Sequence, residues 1–587
     1  MDRRTFIIKA AQAVAVAPLI GCTGGSASRK RLSSGTSGWY ADWRPEVVVA
    51  ASDSNVTAQS KIDAHAGGII GFGSGSHVER RVIPRGAGQR FIGRADGSTR
   101  FDGSRDVGPT GWSGSGRGPW RKALAGGIDR RRVVVDATPS AETRMGMEPF
   151  WGTVAAQLPE ELWVKTGTDE DFPFYVGGGG WKRLGRVLEH ENAGPGEWKL
   201  EYGPTSVITM GDDPAQFDEI RISVTDYAVK GNRHHGLFLA DLWVDRYATA
   251  MHDSPLGQQP VHKTGWHYHH VTVSGGHSSG FTVSAGTVMR NCIARHNGRF
   301  GVTGTDWGRG RQEDGAHWQI EDCRFTRNLL IDYNGGHGGG GAKLAVSSSD
   351  PDPSLLVNSW FDWNNHHGVW PDHAFEANRG VATCEMRSNL IEHNAGRGFQ
   401  AEIWAPASLV VRWNRIYRNG VGDMPGNVYG LPPLREGARI VASRNVRFVE
   451  NQLEQNDRGI LIADAERQVA LADVQILRNE VHVGRAASED GTGGVHRWQY
   501  DPRTGGRGLL SCGADANRYH VPSSSGDGFQ YDPTGFVGDF GGWQMIDRGG
   551  SGRLDPSGSV DTAEVGTPDN FVPFVERQYG AGSGLGG

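Results

Sequence analysis

From about Ile220 to Val483 short apolar strands alternate with polar turns in an imperfect repeat. One series of turn residues follows an apolar strand: Asn291, Asp322, Asn358, Asn389, Asn414, Asn451 and Asn479, with gaps of 31, 36, 31, 25, 37 and 28 residues. A second series comes five or six residues later, at Asn297, Asn328, Asn364, Asn394, Asn419 and Asn456. A third strand opens just after a glycine, as in Gly301-Val302, Gly341-Ala342, Gly368-Val369, Gly398-Phe399, Gly437-Ala438 and Gly459-Ile460. Three short strands per repeat, separated by Asn and Gly turns, predict an all-β fold, a parallel β-helix. Asn tolerates left-handed backbone geometry, and stacked Asn side chains can bond along a solenoid. Regular leucine spacing is absent, which excludes a leucine-rich repeat. The uneven period argues against a propeller.

Alternation along the third strand sorts its side chains into two sets. Val302, Ala342, Val369, Phe399, Ala438 and Ile460 point inward on this reading and are all apolar. Thr303, Lys343, Trp370, Gln400, Arg439 and Leu461 point outward, followed two positions later by Thr305, Ala345, Asp372, Glu402, Val441 and Ala463. Asp372 and Glu402 thus fall on equivalent outward positions of neighbouring coils. Coils stack about 4.8 Å apart, close to the ~5–5.5 Å between the carboxyl groups of a retaining glycosidase. Two acids so close would separate in pKa, suiting one as acid and the other as nucleophile or base, in an order left open. Against this stands the plain reading of two solvated surface acids. Trp370, Trp404, Lys343 and Gln400 beside them offer ring faces and hydrogen-bonding groups, the mixture that holds a sugar. Pro371 interrupts the expected strand and threatens the placement of Asp372.

Asp306 is a third candidate carboxylate at the groove edge, with Trp307 beside it as a sugar contact. Its alternative is a turn aspartate bonded to its own backbone. His373 and Arg439 are further substrate-binding candidates, as are His267 and His269. The spacing His267-x-His269 places two imidazoles on one face and resembles a partial metal site, but no third ligand is assignable. No cofactor is expected, and with the carboxylates dispersed calcium is at most a remote candidate. Lys343, Arg439, Arg397 and His373 would instead suit a lyase, which needs a base and cations for a developing enolate.

The flanks differ from the repeat. Residues 39–214 read as a β-rich region, first coils plus a β-rich excursion, with a hairpin from Glu197-Trp198-Lys199-Leu200 to Thr205–Met210. Residues 215–485 are the central β-helix, and 486–587 the final coil, a covering segment and a tail. The N-terminus carries Arg3-Arg4 before an apolar run, Ala10 to Ile20, too short to span a bilayer and resembling a twin-arginine export signal. Leu19-Ile20-Gly21-Cys22 resembles a lipobox, so 1–22 is expected to be an export signal that leaves Cys22 lipid-anchored to the membrane; the alternative is ordinary secretion with Cys22 a bystander. Residues 23–38 are a flexible tether. The other cysteines, Cys292, Cys323, Cys384 and Cys512, lack metal or redox spacing and read as buried plugs. A Cys292–Cys323 disulfide is the alternative for the first two.

The formal net charge of −5, from 61 basic and 66 acidic residues in mixed order, excludes the basic field of a nucleic-acid binder. The 19 tryptophans and 88 glycines of the 587-residue chain fit many tight turns beside an aromatic surface.

Over residues 215–545 the chain resembles the pectate-lyase-like superfamily of right-handed β-helix proteins, bacterial glycoside hydrolases and polysaccharide lyases among them. The blocks Asn358–Asp372 and Asn389–Trp404 carry the resemblance. It implies outward carboxylates of the central coils as catalytic groups, and a polysaccharide or oligosaccharide as substrate. The resulting expectation is a monomeric, exported glycoside hydrolase using Glu402 and Asp372. The alternatives are a polysaccharide lyase acting on an acidic glycan, or a non-catalytic carbohydrate-binding β-helix.

Overall fold

The computed structural model describes residues 42–114, 118–128, 158–165, 181–187, 191–231, 234–250, 253–257, 265–304, 318–331, 339–345, 353–374, 383–404, 408–420, 436–465, 470–483, 496–499 and 511–520, with a few further residues at 40, 529–531, 536–538, 544, 557 and 559–561. From Phe238–Ala240 to Arg518–His520, strands consecutive in sequence go to different sheets, and neighbours within a sheet lie one coil apart. Among the described residues the first sheet has 13 strands, from Val47–Val49 to Gly513–Asp515, and the second has 13, from Gly75–Val78 to Ser559–Asp561. The third has 10, from Phe281–Thr282 to Phe536–Gly538. Within the three sheets every pairing is parallel except the last of the third sheet. This is a parallel β-helix, right-handed as parallel crossovers are.

The helix Asn55–Asp63, capped by Ser54, which accepts from the Thr57 amide, presses Ala58 and Ile62 onto the core where the first sheet begins. Coils built from residues 47–102 precede an excursion, and the solenoid resumes at Phe238–Ala240 beside Arg90–Ile92. The excursion forms two four-stranded sheets. They share a separate apolar core that includes Leu162, Val164, Trp198, Leu200, Ile208 and Ile222. The predicted hairpin is present, Trp198 facing Met210 and Glu201 facing Val207. Arg183 donates to the carbonyl of Leu330 (2.7 Å), and Glu161 meets His277 Nδ1 (2.7 Å), tying the excursion to the coils where the third sheet starts. Burial pushes Glu161 up, but Arg183 and His277 outweigh it and hold its carboxyl below the usual range.

The inward set of the third strand is as the alternation predicts. Val302, Ala342, Val369, Phe399, Ala438 and Ile460 are paired in register, coil to coil, and all lie in the core.

The second Asn series is a ladder. Asn328, Asn364, Asn394 and Asn419 each accept at Oδ1 from the backbone and side-chain amides of the Asn one coil before (2.8–3.2 Å). Asn456 receives the same pair of bonds from Asn419. This ladder explains the repeated glycine. A Cβ on Gly341, Gly368, Gly398 or Gly437 would come within 2.7–2.9 Å of an Asn Nδ2 of the ladder.

The first series needs a correction of phase. Asn291, Asp322 and Asn358 hold left-handed φ of 50–55°, and the inward ladder position is the next residue. From Ser388 onward the left-handed residue is Ser388, Trp413, Glu450 or Arg478, and Asn389, Asn414, Asn451 and Asn479 occupy the ladder itself. Cys292, Cys323 and Ser359 take that position in the earlier coils, as the bonds from Cys323 N to Ser359 Oγ (3.1 Å) and Ser359 N to Asn389 Oδ1 (2.9 Å) show. Small weakly polar side chains and Asn are thus interchangeable here. Cys292 and Cys323 are free thiols and form no disulfide. Among the described residues no helix is long and apolar enough to cross a membrane. Residues 1–39, with Cys22 and the signal-like segment, lie outside the described residues.

Candidate functional site

Asp372 and Glu402 are register partners on adjacent strands of the third sheet, His367–Ala374 and Phe399–Trp404. Pro371 does not break the strand; it pairs with Leu344 and the ladder continues to Ala374. Asp372 Oδ2 lies 2.8 Å from Lys343 Nζ, contributed by the preceding coil. Glu402 Oε2 accepts from Gln400 Nε2 (2.8 Å), whose Oε1 accepts from Arg397 (2.8 Å). Arg397 in turn donates to Glu436 Oε2 (2.7 Å), one coil further on. Arg439 pairs in register with Gln400. Lys343 Nζ stands 3.5 Å from the centre of the Trp370 ring, so that face holds an ammonium and is not open to a sugar.

These groups lie outside the apolar core yet are buried; the Lys343 side chain is 0% exposed and that of Asp372 2%. Low polarity around paired charges strengthens their attraction and makes an unpaired charge costly. Burial pushes the Lys343 ammonium below its usual range despite Asp372. Burial pushes Glu436 up, but Arg397 and Arg439 outweigh it and hold its carboxyl below the usual range. His366 and His367 close one side, ring centres 3.9 Å apart, with His367 edge-on to Trp370 at 5.1 Å. Burial, then Arg397 and Lys343, bring His366 down to about 3. Burial, then His366 and Arg397, bring His367 well below its ordinary value. His367 Nδ1 accepts from the Arg397 amide, as a neutral ring must (3.2 Å).

A testable pH dependence follows from these shifts. For His366 and His367 the folded pKa lies below the unfolded ~6.5, so their contribution is present above about pH 6.5 and is lost as pH falls toward the folded value. For Glu436 the folded pKa is also depressed, so its contribution is present above about pH 4.3 and is lost below it. Both act in the same direction. Urea midpoints measured from pH 7.5 to 4.5 should fall steadily, and His366→Gln/His367→Gln should flatten the part above pH 5. A flat profile would show that these rings do not titrate on unfolding.

The other expected site residues divide. Trp404 is corrected: it is fully buried in the apolar core and cannot stack on a sugar. The reason is Ile403, whose φ of 51° breaks the alternation and turns the following side chain inward. His267 and His269 are also corrected, because their strand belongs to the first sheet and not the third. His269 stacks on Phe238 at 5.0 Å and edge-on to Tyr40 at 5.6 Å, an aromatic packing role. Among the described residues the one group of three convergent metal-type side chains lies elsewhere, at Glu480, His482 and His520. Asp306 and Trp307 lie outside the described residues. His373 occupies the strand, but its side chain lies outside them too. Glu436 escaped the sequence reading. The offset of 39 that relates Gln400 to Arg439 also relates Arg397 to Glu436, and opposite charges at that offset were the available signal.

No family model and no curated protein matches the chain. Solved structures resemble it along most of its length. The A-module of mannuronan C-5 epimerase AlgE6 from Azotobacter vinelandii is 11% identical, with 87% of this chain and 94% of that one covered and a TM-score of 0.42. The AlgE4 A-module of the same organism is 12% identical, with coverage of 80% and 92% and a TM-score of 0.42. PfbA, a surface adhesin of Streptococcus pneumoniae, is 8% identical, with coverage of 77% and 93% and a TM-score of 0.30. At these identities the likeness concerns the course of the chain alone, and its chemistry is argued from the site.

Proposed function

We propose that the protein is a glycoside hydrolase of the retaining kind, acting on a polysaccharide or oligosaccharide. The observation that carries this reading is that two buried carboxylates stand in register on adjacent coils, Asp372 beside the Lys343 ammonium and Glu402 accepting from the Gln400 amide. Carboxylates separated by one coil suit the ~5–5.5 Å geometry of a double displacement. Asp372, paired with Lys343, is the nucleophile: its oxygen bonds to the anomeric carbon as the bond to the leaving oxygen breaks. Glu402 gives its proton to that leaving oxygen, then takes one from the water that releases the sugar from Asp372. Gln400 and Arg397 position Glu402.

The three cations Lys343, Arg397 and Arg439, with an ammonium of depressed pKa, favour a second reading, β-elimination on an acidic glycan. Product analysis over neutral and acidic glycans separates the two. The hydrolase reading expects new reducing ends without unsaturated sugars, reduced about 10³-fold or more in Glu402→Gln and Asp372→Asn. Melting curves must show both variants folded. Unsaturated, ultraviolet-absorbing products would replace the hydrolase by the lyase, and binding without turnover across the panel would sink both.

A further inference from the structure

We propose that Glu480, His482 and His520 form a binding site for one divalent transition-metal ion of the zinc type, separate from the carboxylate site. The three sit on the second sheet, whereas Asp372 and Glu402 are on the third. Along the strand Glu480–Val483, Val481 and Val483 are buried in the core, which leaves Glu480 and His482 on the outer face two residues apart. On the next coil Tyr519 is in the core and His520 lies in register with His482. The solenoid therefore brings together residues 38 positions apart in sequence by stacking one coil on another.

The donor atoms converge. Glu480 Oε1 is 3.1 Å from His482 Nε2 and 3.3 Å from His520 Nε2. The two imidazoles stack 3.8 Å apart and nearly parallel, at 6°. In a tetrahedral site with bonds of about 2.0–2.1 Å, donor atoms stand roughly 3.3 Å apart, so the two carboxylate–imidazole distances are already those of a coordination shell. Binding one ion would require the rings to turn out of this stack so that both Nε2 lone pairs meet beside Oε1. A structural ion pair would need one imidazole for that oxygen; here two are set on it.

Two nitrogen donors and one carboxylate suit zinc and its neighbours, while calcium takes six to eight oxygens. The neighbouring coils fit the same division. Glu454, in register with His482 on the preceding coil, is held by Arg415 (2.8 Å). Such an ion would tie the last coils together.

The test is zinc titration of the full chain, stripped first with EDTA, beside His482→Asn/His520→Asn and Glu480→Gln. The substitutions are on the outer face and leave the core residues in place. The chain has 21 histidines, so the readout is the difference between proteins. The wild type should take up one equivalent more than the double variant, and zinc should raise its melting temperature by several degrees. Glu480→Gln should weaken that site at least tenfold, and excess Ca²⁺ should not compete. Equal stoichiometry in wild type and double variant, or a melting temperature indifferent to zinc, would overturn the proposal.

Discussion

Gly398→Ala should destabilise the protein by about 2–4 kcal/mol, a large effect for one methyl group. The added Cβ would stand 2.4 Å from Ile416 Cγ2, 2.7 Å from Asn419 Nδ2 and 2.9 Å from the Gly437 carbonyl oxygen. Ile416 is in the core, and Asn419 donates both to the Ile391 carbonyl (2.8 Å) and to Asn456 Oδ1 (3.1 Å). Relief of the overlap must push apart two coils or pull an amide from the ladder. The displaced amide leaves buried polar atoms without partners, at about 1–3 kcal/mol each. Gly203→Ala is the control, because its Cβ would meet nothing nearer than 3.8 Å. Urea unfolding of the two variants should place Gly398→Ala well below wild type and Gly203→Ala within about 1 kcal/mol of it. Equal losses would mean that the glycines are not conserving space for the ladder.

Lys343→Met should be the most damaging single change at the candidate site. It leaves Asp372 buried beside no ammonium, a loss of about 3–5 kcal/mol when one partner of a buried pair is removed. Adding Asp372→Leu removes the stranded charge, and the double variant should regain most of the stability, because buried pairs contribute little beyond well-packed apolar replacements. The double variant should also be inactive while folded, since it lacks the proposed nucleophile. A double variant no more stable than Lys343→Met would show that the pair does not act as a unit. Full activity in a folded double variant would remove Asp372 from the chemistry.

Much of this architecture was legible along the chain. The inward apolar set of the third strand, the Asn series and the glycine before each strand are local patterns repeated from coil to coil. Their repetition predicts stacking, and stacking places Asp372 opposite Glu402. Hydrophobic alternation carries this information because one coil must offer its neighbour the same inward and outward faces. The order of charges could be read in the same way, as Arg397 and Glu436 show.

Tertiary structure alone decided the rest. Ile403 adopts a left-handed φ that no local rule assigns to a β-branched residue, and that single dihedral sends Trp404 into the core. Asn291 and Asn389 look equivalent in sequence but occupy successive positions of one turn, because a buried Cys or Ser can stand where Asn stands in the next coils. Lys343, Asp372 and Trp370 are on the outward side of their strands, yet they are buried. Alternation tells which side of a strand a residue occupies; it does not tell what packs over that side. His482 and His520 are brought together across an irregular interval, which the amino-acid order leaves open and the stacking of coils closes. Periodic backbone geometry is encoded locally, whereas burial, pairing and convergence depend on which distant segments share a coil.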